Sequence, residues 1–140
     1  MTQRRLARES AVEVLYRLDL VGDEPESTIQ EILVRRNPSE ETETYLRRLV
    51  NTVENNRPEI DACLRRHLKR WRLERLTYID RAILRIACAE ILYFHDVPPK
   101  AAINEAVEIA KKFGDDQAAK FVNGVLDGVF KEKYPPVPAD

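Results

Sequence analysis

Ala82-Ile83-Leu84-Arg85-Ile86-Ala87-Cys88-Ala89-Glu90-Ile91-Leu92-Tyr93-Phe94 decides the fold, because it leaves little polar face at any helical phase. A helix that is apolar nearly all round is enclosed by its neighbours. This segment is therefore expected to be the fifth helix and central post of an all-α protein. Thr77 stands where an N-cap is needed, with Asp80 three residues on in a box-like position.

Working outward, apolar spacing and stop signals predict six more helices. The first runs from Arg4 to Val21, buries Ala7, Ala11, Val14, Leu15 and Leu18, and stops at Gly22. A short second helix follows Pro25 with Ile29, Ile32 and Leu33 inward. Ser39 is placed to cap a third, whose inner face is Tyr45, Leu46, Leu49, Val50 and Val53. Pro58 opens a fourth that buries Ile60, Leu64 and Leu68. Trp71, Leu73 and Leu76 are expected to plug the connection onto the core. After Pro98-Pro99, a sixth helix buries Ile103, Ala106, Val107 and Ala110 and ends at Gly114 in a left-handed C-terminal position. A seventh starts at Asp115 or Asp116 and turns Phe121, Val122, Val125, Leu126, Val129 and Phe130 inward. Residues 1–134 make one domain, with 135–140 a loose Pro-rich tail.

Two of these helices are studded with polar or small residues along an apolar seam. They read Ala102-Ile103-Asn104-Glu105-Ala106-Val107-Glu108-Ile109-Ala110-Lys111-Lys112-Phe113-Gly114 and Lys120-Phe121-Val122-Asn123-Gly124-Val125-Leu126-Asp127. A mid-helix glycine costs about 1 kcal/mol against alanine, and a buried Asn needs partners. The expectation is that Asn104 and Asn123 bond buried helix ends and that Gly124 lets helix seven approach its neighbours closely.

A chain of 140 residues with a net charge of −1 and 44% apolar residues fits one globular domain. No apolar run approaches the ~20 residues of a bilayer span, and Met1 to Leu6 lacks the apolar stretch of a signal peptide. Two isolated cysteines, Cys63 and Cys88, fit a reduced, cytoplasmic compartment. The charge is uneven. Arg4, Arg5 and Arg8 stand without an acid in residues 1–8, and residues 65–75 carry Arg65, Arg66, Lys69, Arg70, Arg72 and Arg75 against Glu74. Such local patches can hold phosphate even on a near-neutral protein.

Catalytic constellations are not visible. Cys63 and His67 lie one helical turn apart, and Cys88 and His95 lie two turns apart, but neither pair has the tight-loop spacing of a structural zinc site. No metal or cofactor is expected. There is no phosphate-cradling glycine loop and no serine elbow, so the chain is not read as an enzyme. Recognition remains. Arg4 and Arg8 share one side of helix one with Arg5 beside them, a physically sensible clamp for RNA phosphates and bases. Tyr16, further along a related face, either stacks a base or packs in the core. Phe121 is a contact only if its ring is exposed.

The run Arg4-Arg5-Leu6-Ala7-Arg8-Glu9-Ser10-Ala11-Val12-Glu13-Val14-Leu15-Tyr16 resembles the opening of the NusB family of transcription antitermination factors. The resemblance continues through Asp80 to Ala87 with Glu90, then Pro98, Ile103 to Lys111, Phe113-Gly114 and Lys120 to Asp127, covering essentially the whole chain. It implies an all-α, seven-helix fold of two small helical bundles packed around the central apolar helix, without catalysis. It also implies binding of boxA-type single-stranded RNA in ribosomal-RNA transcripts, jointly with NusE, a small-subunit ribosomal protein, within the antitermination complex of RNA polymerase.

By position, Arg4, Arg5 and Arg8 match the family's basic RNA-binding motif and Tyr16 its neighbouring aromatic. Phe121, with Lys120 and Asn123, matches the motif at the start of the last helix. Glu74 and Asp80 fall where the family presents acid to its partner protein. The chain departs from the family in having only two arginines before Leu6, and in Asp80 where some relatives carry Glu. Trp71 has no role in that motif set and is read as core. Two other readings are kept: the RNA-binding portion of a ribosomal-RNA methyltransferase, and a self-associating scaffold whose homodimer covers the RNA surface. The first would need an α/β cofactor domain, and this sequence passes to its last residue, Asp140, through a Pro-rich tail.

Overall fold

The computed structural model describes residues 3–137, and every regular element in that range is helical. The order is α1 (Gln3–Val21), α2 (Pro25–Arg36), α3 (Glu40–Asn55), α4 (Arg57–Leu68), a single 3-10 turn (Leu73–Arg75), α5 (Tyr78–Tyr93), α6 (Pro99–Phe113) and α7 (Asp116–Lys133). The two expected caps, Ser39 and Thr77, form, and Asp115 rather than Asp116 caps α7. Oγ of Ser39 accepts from the Thr42 N–H, Oγ1 of Thr77 from the Asp80 N–H, and the Asp115 carboxylate from the Ala118 N–H. Gly22 at φ +70° ends α1, and Asn37 at φ 45° ends α2 with its N–H on the Leu33 carbonyl.

α5 packs against α1 and α3 on one side and α4, α6 and α7 on the other, so it is shared by two small bundles. Every residue from Ala82 to Ile91 is buried, including Arg85 and Glu90. Those two charges are what the apolar reading of this helix left unexplained. Glu90 meets buried partners, and Arg85 meets two partly buried carboxylates. Arg85 donates to Asp61 on α4 at 2.9 Å and to Asp19 on α1 at 2.8 Å. Glu90 accepts from Arg8 of α1 and from the Tyr45 hydroxyl of α3. The central post is therefore pinned to its neighbours by ion pairs as well as by apolar packing.

Several expectations change. Trp71 is not core. It is 59% exposed, while Leu73 is buried and Leu76 partly so. The chain leaves α4 through Lys69 at φ 54°, ψ −94°, a conformation costly for a residue with a Cβ, and this turn carries Trp71 outward. Gly114 ends α6 at φ −135°, not in the left-handed region. Its missing side chain serves a close approach instead, since a Cβ there would lie 3.0 Å from the Ala110 carbonyl and 3.1 Å from the Ala118 Cβ.

Asn104, Asn123 and Gly124 are all exposed. With Ile103, Ala106 and Ala110 facing inward, Asn104 is turned about 100° out of the seam. A Cβ on Gly124 would meet nothing within 4 Å, whereas one on Gly128 would lie 2.6 Å from Nδ1 of His67. Close helix approach belongs to Gly128. Tyr134 closes α7. The expected loose tail at 135–140 runs into residues 138–140, outside the described ones.

Candidate nucleic-acid interface

The three N-terminal arginines do not form one patch. Arg8 is 5% exposed, and its guanidinium grips Glu90 with two bonds, Nε to Oε1 at 2.9 Å and Nη2 to Oε2 at 2.7 Å. Burial pulls that guanidinium towards losing its proton, but Glu90 more than compensates and its pKa ends above the ordinary value. The Tyr45 hydroxyl, pushed upward by burial and by the adjacent Glu90 charge, keeps its proton and donates it to the same carboxylate. Arg8 thus ties α1 to α5 and α3 and has no surface to offer a polymer. Its burial sets it apart from Arg4 and Arg5, the other members of the expected RNA clamp.

Arg4 and Arg5 remain at the surface. The Arg4 guanidinium lies 4.7 Å from the centre of the Tyr45 ring and 3.5 Å from Asp96. Arg48 stacks on Phe94 at 3.8 Å and holds Asp96 with two bonds. Asp96 is kept well below the usual carboxylate range, chiefly by hydrogen bonds from Arg48. Arg5 bonds Glu105 of α6 at 2.7 Å. Both arginines carry acidic partners that a phosphate would have to displace.

Tyr16 lies twelve residues further on, about 18 Å along the helix axis. It is half-buried and meets Tyr78 edge to face with centroids 6.2 Å apart, and Arg81 stacks on the Tyr78 ring at 4.4 Å. α6 bridges the distance between the arginines and the last helix. It takes Arg5 on Glu105 and returns Lys112 to the buried Glu9 of α1 at 2.9 Å. Val107 and Lys111 of α6 then line an open groove of about 450 Å³ with Lys120 and Asn123 of α7.

Lys120 and Asn123 are exposed. Phe121 is half-buried and meets Trp71 edge to face, centroids 6.1 Å apart. That ring pair separates two grooves. One, of about 330 Å³, is lined among others by Lys69, Arg70, Lys120 and Gly124. The other, of about 340 Å³, is lined among others by Arg75, Thr77, Asp80 and Asp115. Sequence reasoning missed Trp71. The available signal was its setting, a large aromatic between Lys69-Arg70 and Arg72.

Of the two expected partner-binding acids, Asp80 sits in the second groove, half-buried, with its carboxyl raised by burial. Glu74 is exposed and ion-paired with Arg65, which lowers its pKa. The two are not brought into contact with each other.

Gly124 gives a direct test of this face. Its position is open, so Gly124→Ala should raise the unfolding free energy by about 0.5–1 kcal/mol in denaturant melts. A loss of stability would mean the helix backbone there is not as open as it stands.

A family model described as the NusB family matches residues 5–131. The transcription antitermination protein NusB of Bacillus mycoides (strain KBAB4) is 44% identical over 128 residues, spanning 91% of this chain and 96% of that relative. A chain in a crystal structure of the antitermination factors NusB and NusE in complex with double-stranded RNA aligns with a TM-score of 0.86 at 34% identity, over 94% of this chain and 98% of its own length. NusB of T. maritima aligns with a TM-score of 0.87 at 35% identity, over 96% and 94%.

Proposed function

Since the chain belongs to the NusB family, we propose that it is a transcription antitermination factor that binds boxA-type RNA of ribosomal-RNA transcripts jointly with NusE. The carrying observation is the arrangement of Lys120, Asn123 and the Trp71–Phe121 ring pair at the start of α7, joined across α6 to Arg5 and Arg4. The exposed Trp71 ring, with half-buried Phe121 against it, supplies base stacking, and the flanking cations supply phosphate contacts. The stations form a tract rather than a pocket, which suits an extended single strand. A base stacked against Tyr16 would extend the tract to the far end of α1.

NusE, in this reading, occupies the acidic side. Asp80 lies in the groove on the opposite side of the Trp71–Phe121 pair from Lys120, so RNA and protein would meet along that pair. The protein acts by holding, not by catalysis, in the cytoplasm where nascent transcripts meet RNA polymerase. No helix among the described residues is long and apolar enough to cross a membrane. The relatives carry the name of an antitermination protein over nearly their whole length, which favours this reading over the methyltransferase one.

The test is a fluorescence titration of single-stranded and duplex boxA RNA, with a scrambled control, with and without NusE. NusE should tighten binding of the single strand by about 5- to 150-fold, the usual range of coupling between two ligands. Equal affinity for the scrambled RNA, or no effect of NusE, would defeat the proposal. Within it, replacing Arg4 and Arg5 together by alanine should lower the slope of log affinity against log salt by about 1.4, roughly 0.7 for each phosphate contact to a single strand. An unchanged slope would remove both arginines from the RNA path.

A further inference from the structure

Away from the RNA tract, three donors of different chemistry converge where α4 crosses α7. Cys63 and His67 stand one turn apart on α4 and project from the same side of it. Glu132, in the last turn of α7, meets both: its Oε2 lies 3.6 Å from Sγ of Cys63 and its Oε1 lies 3.1 Å from Nε2 of His67. All three donor atoms fall within 4.8 Å of one another. Tetrahedral zinc with ordinary bond lengths would set such donors about 3.4–3.6 Å apart. We propose that Cys63, His67 and Glu132 form a zinc-binding site that fastens α4 to α7.

The backbone is shaped for the imidazole. Gly128, one turn before Glu132, leaves bare helix under His67, where any Cβ would lie 2.6 Å from Nδ1. An alanine at 128 would push the ring off the line that brings Nε2 to Glu132. Arg66 also holds Glu132, at 2.9 and 2.7 Å. Each carboxylate oxygen has a second lone pair, so this grip leaves room for a metal bond and orients the ligand from outside, as such partners do.

Thiolate and carboxylate together neutralise Zn²⁺, and the thiolate–imidazole–carboxylate set favours zinc over magnesium or calcium. Cys63 lies buried beneath, while the His67 and Glu132 side chains are 20% and 38% exposed, so the fourth position opens to water. Spacing within the sequence could not reveal this site, because the third donor comes from 65 residues beyond His67.

The full chain, stripped with a chelator, is titrated with Co²⁺ as a spectroscopic stand-in and then with Zn²⁺. Tetrahedral d–d absorption and a thiolate-to-cobalt charge-transfer band should appear and be displaced by zinc. Zinc should also raise the melting temperature by several degrees. Cys63→Ser should abolish the charge-transfer band, and Cys88→Ala should keep it. His67→Gln and Glu132→Gln should each weaken binding by at least about 10-fold, the least that loss of even an outer partner costs. Should Cys63→Ser fail to fold, His67→Gln at its half-buried position carries the decision, through loss of binding and of the zinc-induced rise in melting temperature. No charge-transfer band, a band lost with Cys88 but not Cys63, or undiminished zinc affinity in His67→Gln would overturn the site.

Discussion

Arg8→Ala is expected to lower the unfolding free energy by about 3–5 kcal/mol, the cost of stranding one member of a buried ion pair. The stranded group is Glu90, whose side chain is 1% exposed and whose carboxylate would keep, among the described residues, the Tyr45 hydroxyl as its one hydrogen-bond partner. A protein of this size commonly has only 5–15 kcal/mol to lose, so the variant should melt far earlier and populate unfolded chain at growth temperature. Arg8→Lys should recover part of the loss, since it restores the charge without the two-bonded grip. Replacing Arg8 and Glu90 together by Met and Leu should recover more than either single change, because no charge is then left buried alone. Circular-dichroism melts of the three variants beside the parent decide the matter. An Arg8→Ala protein that melts like the parent but loses RNA would return Arg8 to the RNA surface and contradict the geometry.

That prediction also marks where sequence alone reaches its end. Helix faces were legible because the 3.6-residue period fixes which side of each segment is apolar, and α5 was recognisable as the centre because its period vanishes. Ser39 and Thr77 were legible as caps because a cap is a local event, whereas the start of α7 was legible only as Asp115 or Asp116. Arg8 was not. Its i, i+4 relation to Arg4 places both on one side of α1, but only the fold brings up Glu90, 82 positions away, to claim it.

Trp71 failed for a different reason. Hydropathy assigns a large indole to the core, while the positive φ of Lys69 turns this one out. The polar residues of α6 and α7 were misplaced by treating them as interruptions of the seam. Their helical phase puts Asn104 and Asn123 outside it, where a binding surface can use them. Gly128 and Gly124 exchange roles on the same ground, since the phase of α7 alone does not tell which glycine meets a neighbouring side chain.

The second large effect concerns the ring pair. Trp71→Ala and Phe121→Ala should each weaken binding of boxA-type RNA by about 5- to 150-fold, corresponding to the 1–3 kcal/mol that a stacked base loses with its aromatic partner. Two features separate this from a general loss. Trp71 is mostly exposed, so its removal should cost the fold little, and melts should confirm that the protein remains intact. Neither change removes a charge, so the salt dependence of RNA binding should keep its slope while the affinity falls at every salt concentration. Lys120→Ala should do the converse, flattening the slope by about 0.7. Because the two rings touch each other, the double variant should lose less than the sum of the single losses. If Trp71→Ala instead leaves RNA affinity untouched and weakens only NusE, the pair belongs to the protein partner. The RNA would then be confined to the α6 side of α7, against Lys111, Lys120 and Asn123.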